Sequence, residues 1–427
     1  MPAFYVLITY ILGVQVGIRI SPDIPMQTVI ICITLICLFK TIHPKTRFVK
    51  VMILIAIFNA GMVRASLPSF NIFPIEWYEH LRILIQPFKA RLIEAMGTGL
   101  TESQKELIGG IVLGRGSGVT DIKSWPHFLK SGMSHLLVAS GAQVSLSIFP
   151  LILLADHVNM SIRARKLIYT IAATLLFLLL LIVGLEPSIL RAVTSCYMFL
   201  LARTINRKCQ SLNIIYATAL LWLWINPSLI RNIGFQLSYS ASWGLIYIYP
   251  RLRLLLMPGI ASKPENLKRK ITRRIYIFSI EIILLMLAAQ GAVMPVLSHH
   301  FHRFSFSGFI ANIIAIPLSG LIMYMGMAAA LTGQISTPLA GLINIINGFL
   351  LNTLNLTALL FSSIPYIPSP SNGMLGLLMP YIFMVLFFEA RFKPYGLIKA
   401  LDVAQKILYP LDNLKNIKPF WRFRLID

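Results

Sequence analysis

Hydrophobic positions in this chain come in long unbroken runs, not in alternation. Stretches such as "LIYTIAATLLFLLLLIVGL" (167–185) are apolar on every side. That is the pattern of an α-helix crossing about 30 Å of hydrocarbon, which takes roughly 17–25 residues. A transmembrane strand would instead alternate apolar and polar positions over about ten residues. Spans are predicted over 4–20, 24–42, 48–65, 133–158, 167–185, 187–204, 213–225, 228–249, 275–298, 306–332, 336–364 and 374–390. The fold class expected is an all-α polytopic membrane protein of roughly 10–12 transmembrane helices, some broken or re-entrant, with an external amphipathic helix.

The amphipathic element is "IEWYEHLRILIQPFKARLIEAMGTGL" (75–100), where apolar residues recur at helical spacing with Lys and Arg between them. It is expected to lie on the membrane surface or to pack on the bundle. The chain therefore divides into N-terminal spans (1–65), an external amphipathic region (66–132), a helical bundle (133–390) and a basic tail (391–427).

Composition strengthens this reading: 427 residues, mean hydropathy +0.76, 57% hydrophobic and 12% charged, far from a soluble domain. The first run lacks a basic leading segment and a small-residue cleavage site, so it reads as a retained helix. Charge then sets orientation. The net charge is +23, from 38 Lys and Arg against 15 Asp and Glu. Basic clusters at 43–50, 163–166, 203–208 and 251–274 are separated by even numbers of spans, marking cytoplasmic loops. Both termini are then inside and 66–132 outside. Such a charge suits anionic lipid headgroups or an anionic substrate such as nucleic acid. Four cysteines, Cys32, Cys37, Cys196 and Cys209, lie in or near spans and signal no disulfide framework.

Against this apolar background, a few polar stripes stand out. In "GMSHLLVASGAQVSLS" (132–147), read as one helix, Ser140, Gln143 and Ser147 form a stripe with His135 at its edge. Unpaired polar groups in hydrocarbon are costly, so the stripe should face other helices or a water-filled path. In "NIGFQLSYSASWG" (232–244), Asn232, Gln236, Tyr239, Ser240 and Trp243 share a face. Tyr239 and Trp243 could stack on bases or anchor at the interface. Arg191 and Arg231 fall near external span ends, where they would attract phosphates or snorkel to headgroups. They lie in a weak echo, "EPSILRA" and "NPSLIRN". Glu186 is read as an ion-pair partner for Arg191. "FIANIIAIPLSG" (309–320) combines Asn312 with Pro317 and predicts a broken helix. No metal or other cofactor is expected. "HHFHRF" (299–304) has no acidic neighbour, and "LIGGIVLGRGSG" (107–118) lacks the Lys-Ser/Thr ending of a phosphate-binding loop.

Four stretches together resemble the ComEC competence-channel family: "FLKSGMSHLLVASGAQVSL" (128–146), "PSILRA" (187–192), "IGFQLSYSASWGLI" (233–246) and "MPVLSHHFHRFSFSGFIANIIAIPLSG" (294–320). The resemblance implies an inner-membrane channel, not an enzyme, that admits single-stranded DNA during natural transformation. Larger relatives carry an oligonucleotide-binding-fold domain and a metallo-β-lactamase-like domain, and neither is expected here. Residues 66–132 show too little strand-like alternation, and no His-x-His-x-Asp-His cluster follows Phe388. Where the family usually has His, this chain has Gln143, which removes a titratable group. The family also implies external soluble domains, in tension with an internal tail.

The expected path or gate residues are thus His135, Ser140, Gln143, Ser147, Arg191, Arg231, Gln236, Tyr239, Trp243 and Asn312. Expected partners are single-stranded DNA, membrane lipids, a separate DNA-binding receptor, a cytoplasmic ATP-driven motor and a separate nuclease. Two other readings remain: a secondary transporter for a small anionic solute, which also suits broken helices and buried Arg, and an intramembrane hydrolase using His135 with Glu186 or Ser140.

Overall fold

The structure, a computed structural model, describes residues 2–17, 57–58, 60–61, 63–65, 75–114, 123–157, 160–205, 207, 209–257, 267–304, 306–365, 367–368 and 374–391. The spans expected over 24–42 and most of 48–65, and the tail beyond 391, lie outside these residues.

Among the described residues apolar runs become helices. In chain order they are α1 (Pro2–Gly17), α2 (Ile75–Gly97), α3 (Glu102–Leu113), α4 (Trp125–Lys130), α5 (Gly141–His157), α6 (Ile162–Val183) and α7 (Pro187–Thr204). Then come α8 (Ser211–Ile225), α9 (Ile233–Trp243), α10 (Tyr249–Leu256), α11 (Leu267–Phe301), α12 (Phe306–Thr332), α13 (Thr337–Ser362) and α14 (Met374–Arg391). Local signals set their ends. Ser161 accepts the Ala164 N–H and opens α6, and Pro187 sits in the first turn of α7, where a missing N–H is harmless. A two-residue antiparallel ladder pairs β1 (Arg303–Phe304) with β2 (Ile367–Pro368).

Among the described residues four helices are long and apolar enough to cross a membrane: Ile162–Val183, Tyr276–Phe301, Ser307–Thr332 and Thr337–Ser362. Shorter apolar helices cover Val6–Gln15, Gly141–Asp156, Ser211–Ile225 and Met379–Phe388. The chain is an all-α polytopic membrane protein.

Two expectations are corrected. Residues 132–140 are not the start of a span: Gly132 takes φ 73°, a 3-10 turn follows over Ser134–Leu136, and α5 begins only at Gly141. Gly132 turns the chain where a side chain would be strained. Residues 309–320 are not broken either, because α12 runs continuously through Pro317. Proline is tolerated inside membrane helices when neighbours and local adjustment satisfy the freed carbonyl.

The buried apolar side chains form three clusters. One joins α3, α4 and the 3-10 turn to α12 and α13, through Leu107, Ile111, Phe128, Leu137, Ile322 and Leu351. A second joins α1, α8, α9, α11 and α14 through Val14, Leu223, Phe235, Trp243 and Ala292. The third is the packing of α5, α6 and α7 around Val144, Leu176 and Ile189. The amphipathic helix α2 belongs to the bundle on one side, with Lys89, Ala95 and Met96 buried, and exposes Ile83, Leu84 and Phe88 on the other. Burial first, and Arg82's charge second, pull the Lys89 pKa below the usual lysine value. Of the two placements expected for this helix, packing on the bundle is the one seen.

Arg64 is 1% exposed. Its Nε donates to the Trp224 carbonyl and a terminal nitrogen to the Ile225 carbonyl. Those are among the last carbonyls of α8, which have no helical partner, so a guanidinium there both caps and complements the helix dipole. Arg64→Met is expected to cost about 2–3 kcal/mol, since it leaves buried carbonyls unpaired. Thermal unfolding in detergent should show a clear fall, and an unchanged midpoint would deny the cap.

Candidate functional site

Three of the four sequence stretches singled out above meet at one side chain. Arg191, on the first turns of α7, donates from Nε to Ser238 Oγ on α9 at 2.7 Å. Its guanidinium carbon lies 5.8 Å from the Tyr239 ring centre, a cation–π contact. The group crosses the start of α5 so closely that a Cβ built on Gly141 would sit 2.5 Å from Nη2. A side chain there would make the end of Arg191 shift. Three residues earlier on α7, Ser188 Oγ donates to the Ala139 carbonyl at 2.7 Å, holding the turn that leads into α5.

Among the described residues no carboxylate pairs with Arg191; the ion pairs formed are Arg82–Glu79, Lys105–Glu102, Arg203–Asp156 and Arg253–Glu281. Glu186 is instead the residue before α7: its backbone carbonyl accepts the Leu190 N–H at 2.9 Å, and its side chain makes no capping bond to that helix. The expected Glu186–Arg191 pair is not formed. Arg191 is half-buried and His135 exposed, so both keep accessible surface.

The opening stripe faces away from this surface. Gln143 is buried; its Oε1 accepts the Ser140 N–H at 2.9 Å and its Nε2 donates to the Ile111 carbonyl at 2.6 Å. Ile111 lies in the last turn of α3, so Gln143 closes that helix's C-terminal end as well as the start of α5. Ser147 donates back to the Gln143 carbonyl at 2.7 Å and lies 4.0 Å from Met327 Sδ on α12. Ser140 is half-buried, and the exposed positions of this segment are His135, Val138, Ala142 and Ser145.

The fourth stretch joins the second stripe. Gln236 Nε2 donates to the Ile230 carbonyl at 2.7 Å and its Oε1 lies 2.8 Å from His300 Nε2 on α11. Gly308, at the start of α12, packs on the backbone of Ser131 and Gly132, within 3.2 Å of its added Cβ. Tyr239 packs on Phe235 at 4.4 Å between ring centres. Trp243 is buried, stacked on Tyr247 at 4.8 Å and edge-on to Tyr381 at 5.8 Å. Tyr381 also donates to the Ala292 carbonyl at 2.6 Å and lies 3.0 Å from Ser240 Oγ. Trp243 thus offers no open ring face of the kind base stacking uses.

Arg231 is exposed at the end of a 3-10 turn over Pro227–Arg231, whereas the matching "PSILRA" stretch opens a long helix, so the echo does not extend to structure. Asn312 is fully buried in α12, and neither its Nδ2 nor its Oδ1 has a hydrogen-bond partner. Ser238, Ser188 and Gly141 were not singled out in sequence, although all three lie within or beside the quoted stretches. No group of three or more His, Cys, Asp or Glu placed to hold a metal occurs among the described residues.

A polytopic helical bundle in which an arginine has no acidic partner among the described residues is the class of protein these observations define. Comparison with known proteins narrows it. The family model described as "Competence protein" matches residues 111–393, well over half of the chain. The chain belongs to that family, and corresponds to the membrane core of the ComEC type. It is also similar to ComE operon protein 3 of Bacillus subtilis (strain 168), with 24% identity over 204 residues, 47% of this chain and 23% of that protein. The chain thus covers about a quarter of that curated relative's length. No solved structure matches.

Proposed function

We propose that this chain forms an inner-membrane channel through which one strand of DNA enters the cell during competence. The observation that carries the reading is the convergence at Arg191: stretches 128–146, 187–192 and 233–246 of a competence-family chain meet around a cation that has no acidic partner among the described residues. A channel for a polyanion needs positive charge inside a helical bundle, where ionisable residues are otherwise rare.

Within this reading Arg191, with Tyr239 over its face, and the accessible His135 contact the strand. Arg231, exposed on its own turn, attracts phosphates near a mouth. Ser140, Gln143, Ser147, Gln236 and Trp243 act through position: they fix the helix ends and ring stacks that hold the contacting groups. Asn312 sits one layer back, as a buried polar point in α12. Energy, capture of duplex DNA and degradation of the second strand fall to a motor, a receptor and a nuclease outside this chain.

The test is transformation of the natural host with labelled DNA. Deleting the gene should abolish entry of label into the cytoplasm while DNA still binds at the cell surface, and the intact gene in trans should restore it. Uptake that persists in the deletion strain overturns the reading.

A further inference from the structure

The hairpin of α12 and α13 sets a scale of depth. Its apolar spans, Ser307–Thr332 and Thr337–Ser362, hold 26 residues each. At about 1.5 Å per residue each is about 39 Å long, enough to pass through the hydrocarbon from one face to the other. The short turn between them therefore lies at one face. Their other ends are tied together at the opposite face, where Arg303–Phe304 pairs with Ile367–Pro368.

Measured on this scale, the segment from α2 to α4 changes sides. Beside the turn, Gln334 Nε2 donates to the Arg91 carbonyl at 3.5 Å, and a Cβ built on Gly333 would lie 2.7 Å from that of Ala95. Farther along α13, Asn344 Nδ2 donates to the Met96 and Thr98 carbonyls at 3.0 and 2.8 Å. At mid-helix, Gln104 Nε2 donates to the Gly348 carbonyl at 3.3 Å and to Asn352 Oδ1 at 3.0 Å. At the far end His127 Nδ1 lies 3.2 Å from Ser362 Oγ, and Gly308 packs on the backbone of Ser131 and Gly132. Arg91 and His127 thus stand at opposite ends of one membrane-spanning helix.

This passage is polar at its middle. Glu102 and Lys105, on the first turn of α3 beside Gln104, pair at 2.7 Å and keep 81% and 42% of their side-chain surface exposed. Thr101 and Ser103 are exposed as well. Charged groups at the middle of a membrane face water or other protein, because hydrocarbon cannot solvate them. Non-helical backbone such as Thr98–Thr101 is tolerated at that depth only inside protein or along a water-filled cavity. The chain itself leaves these side chains uncovered.

We infer that the chain crosses the membrane between Ala95 and His127, and that Thr101, Glu102, Ser103 and Lys105 wall a water-filled route at the middle of this crossing. The charge pattern predicts residues 66–132 on the outer side alone. The crossing instead puts Arg91 inside with the turn after α12, since the basic cluster at 251–274 is cytoplasmic and α11 and α12 lead out and back. Lys130 is left outside. Hydropathy misses such a crossing, because a wetted wall needs no apolar run. Glu102 and Lys105 offset each other in charge, so this wall suits passage and not capture. That the route carries the strand rests on the DNA-uptake reading; its being wet does not.

The experiment uses the full chain carrying Cys32→Ala, Cys37→Ala, Cys196→Ala and Cys209→Ala. One cysteine is then introduced at a time: Arg91→Cys, Ser103→Cys, Lys130→Cys or Phe349→Cys. Phe349, 71% exposed on α13, is the reference for a side chain facing hydrocarbon. Each variant is checked for membrane level and unfolding midpoint, then treated with a charged, membrane-impermeant maleimide in spheroplasts and in inverted vesicles. Arg91→Cys should react only in inverted vesicles, and Lys130→Cys only in spheroplasts. Ser103→Cys should react, from at least one side, about tenfold or more faster than Phe349→Cys, because the thiolate is the nucleophile and a thiol in apolar surroundings stays protonated.

If Arg91→Cys and Lys130→Cys react from the same side, the crossing is overturned. If they react from opposite sides but Ser103→Cys is as slow as Phe349→Cys, lipid or a second chain covers this wall and the water-filled route is overturned. Neither result touches the uptake reading, which the deletion strain decides. Uptake that persists in that strain would in turn leave the wet crossing standing.

Discussion

Gly114→Val is expected to remove most folded protein from the membrane and transformation with it. Gly114 ends α3 at φ 80°, ψ 154°. That region is essentially closed to residues with a side chain, at a cost of about 1–3 kcal/mol. Space is closed too: a Cβ there would lie 2.6 Å from the Cβ of Ala139 and 2.8 Å from its Cα and N. Backbone, not a flexible side-chain end, must move. Overpacking of this kind adds roughly 1–3 kcal/mol, so the sum approaches half of a typical domain's stability. The displaced segment is the turn whose Ala139 carbonyl accepts from Ser188 and which leads into α5 beside Arg191. Gly114→Ala should show the same backbone strain with a smaller clash. Melting in detergent and transformation frequency measure both, and a Gly114→Val protein with wild-type values of each would refute the account.

Whether an element could be read from sequence depended on where its determinants lie. Apolar runs predicted helix extents closely where burial is the whole signal: 187–204 became Pro187–Thr204, and 336–364 became Thr337–Ser362. The run from 133 failed because its first residues are apolar for a different reason. Leu137 and Ala139 are buried by α3, α7 and α12, and the backbone there is held by tertiary hydrogen bonds that hydropathy does not see. Starting the helix eight residues early treated His135 as part of a stripe that only α5 could form. Gln143 and Ser147, although correctly read as needing polar partners, found them in α3 and in their own helix.

Pro317 shows the same limit from the other side. A proline that would stop a helix in water is carried inside α12, packed in the bundle. For the site, the four motif stretches were legible as stretches, and Arg191 as unusual. Its partners were not. Glu186 is five residues away and unpaired with it, whereas Ser238, 47 residues away, holds its Nε. Proximity in sequence predicts contacts along one helix and says little about contacts between α7 and α9.

Glu281 escaped the sequence reading altogether because it sits within the apolar span 275–298, and it supports the second large effect expected. Its Oε1 accepts from Arg253 Nε at 2.8 Å, with side chains 20% and 13% exposed, and its Oε2 accepts from the Tyr249 hydroxyl. Both partners are on α10, which follows a π turn over Gly244–Ile248. The carboxylate therefore fastens the segment beyond the π turn to α11, within the basic cluster that starts at Arg251. Removing one member of a largely buried pair leaves the other charged and unpaired, at about 3–5 kcal/mol. The residual exposure places Glu281→Ala near the lower figure. The double variant Glu281→Ala, Arg253→Met removes both charges and should recover most of that loss, since an apolar replacement of a buried pair is often near neutral. Tyr249→Phe should cost only about 1 kcal/mol, as one hydrogen bond. Unfolding midpoints of the three variants separate an ion-pair clamp from simple packing. If the double variant is no more stable than Glu281→Ala alone, the pair is not what holds α10 to α11, and the π turn must be fixed by Gly244, whose added Cβ would collide with the Ala288 carbonyl.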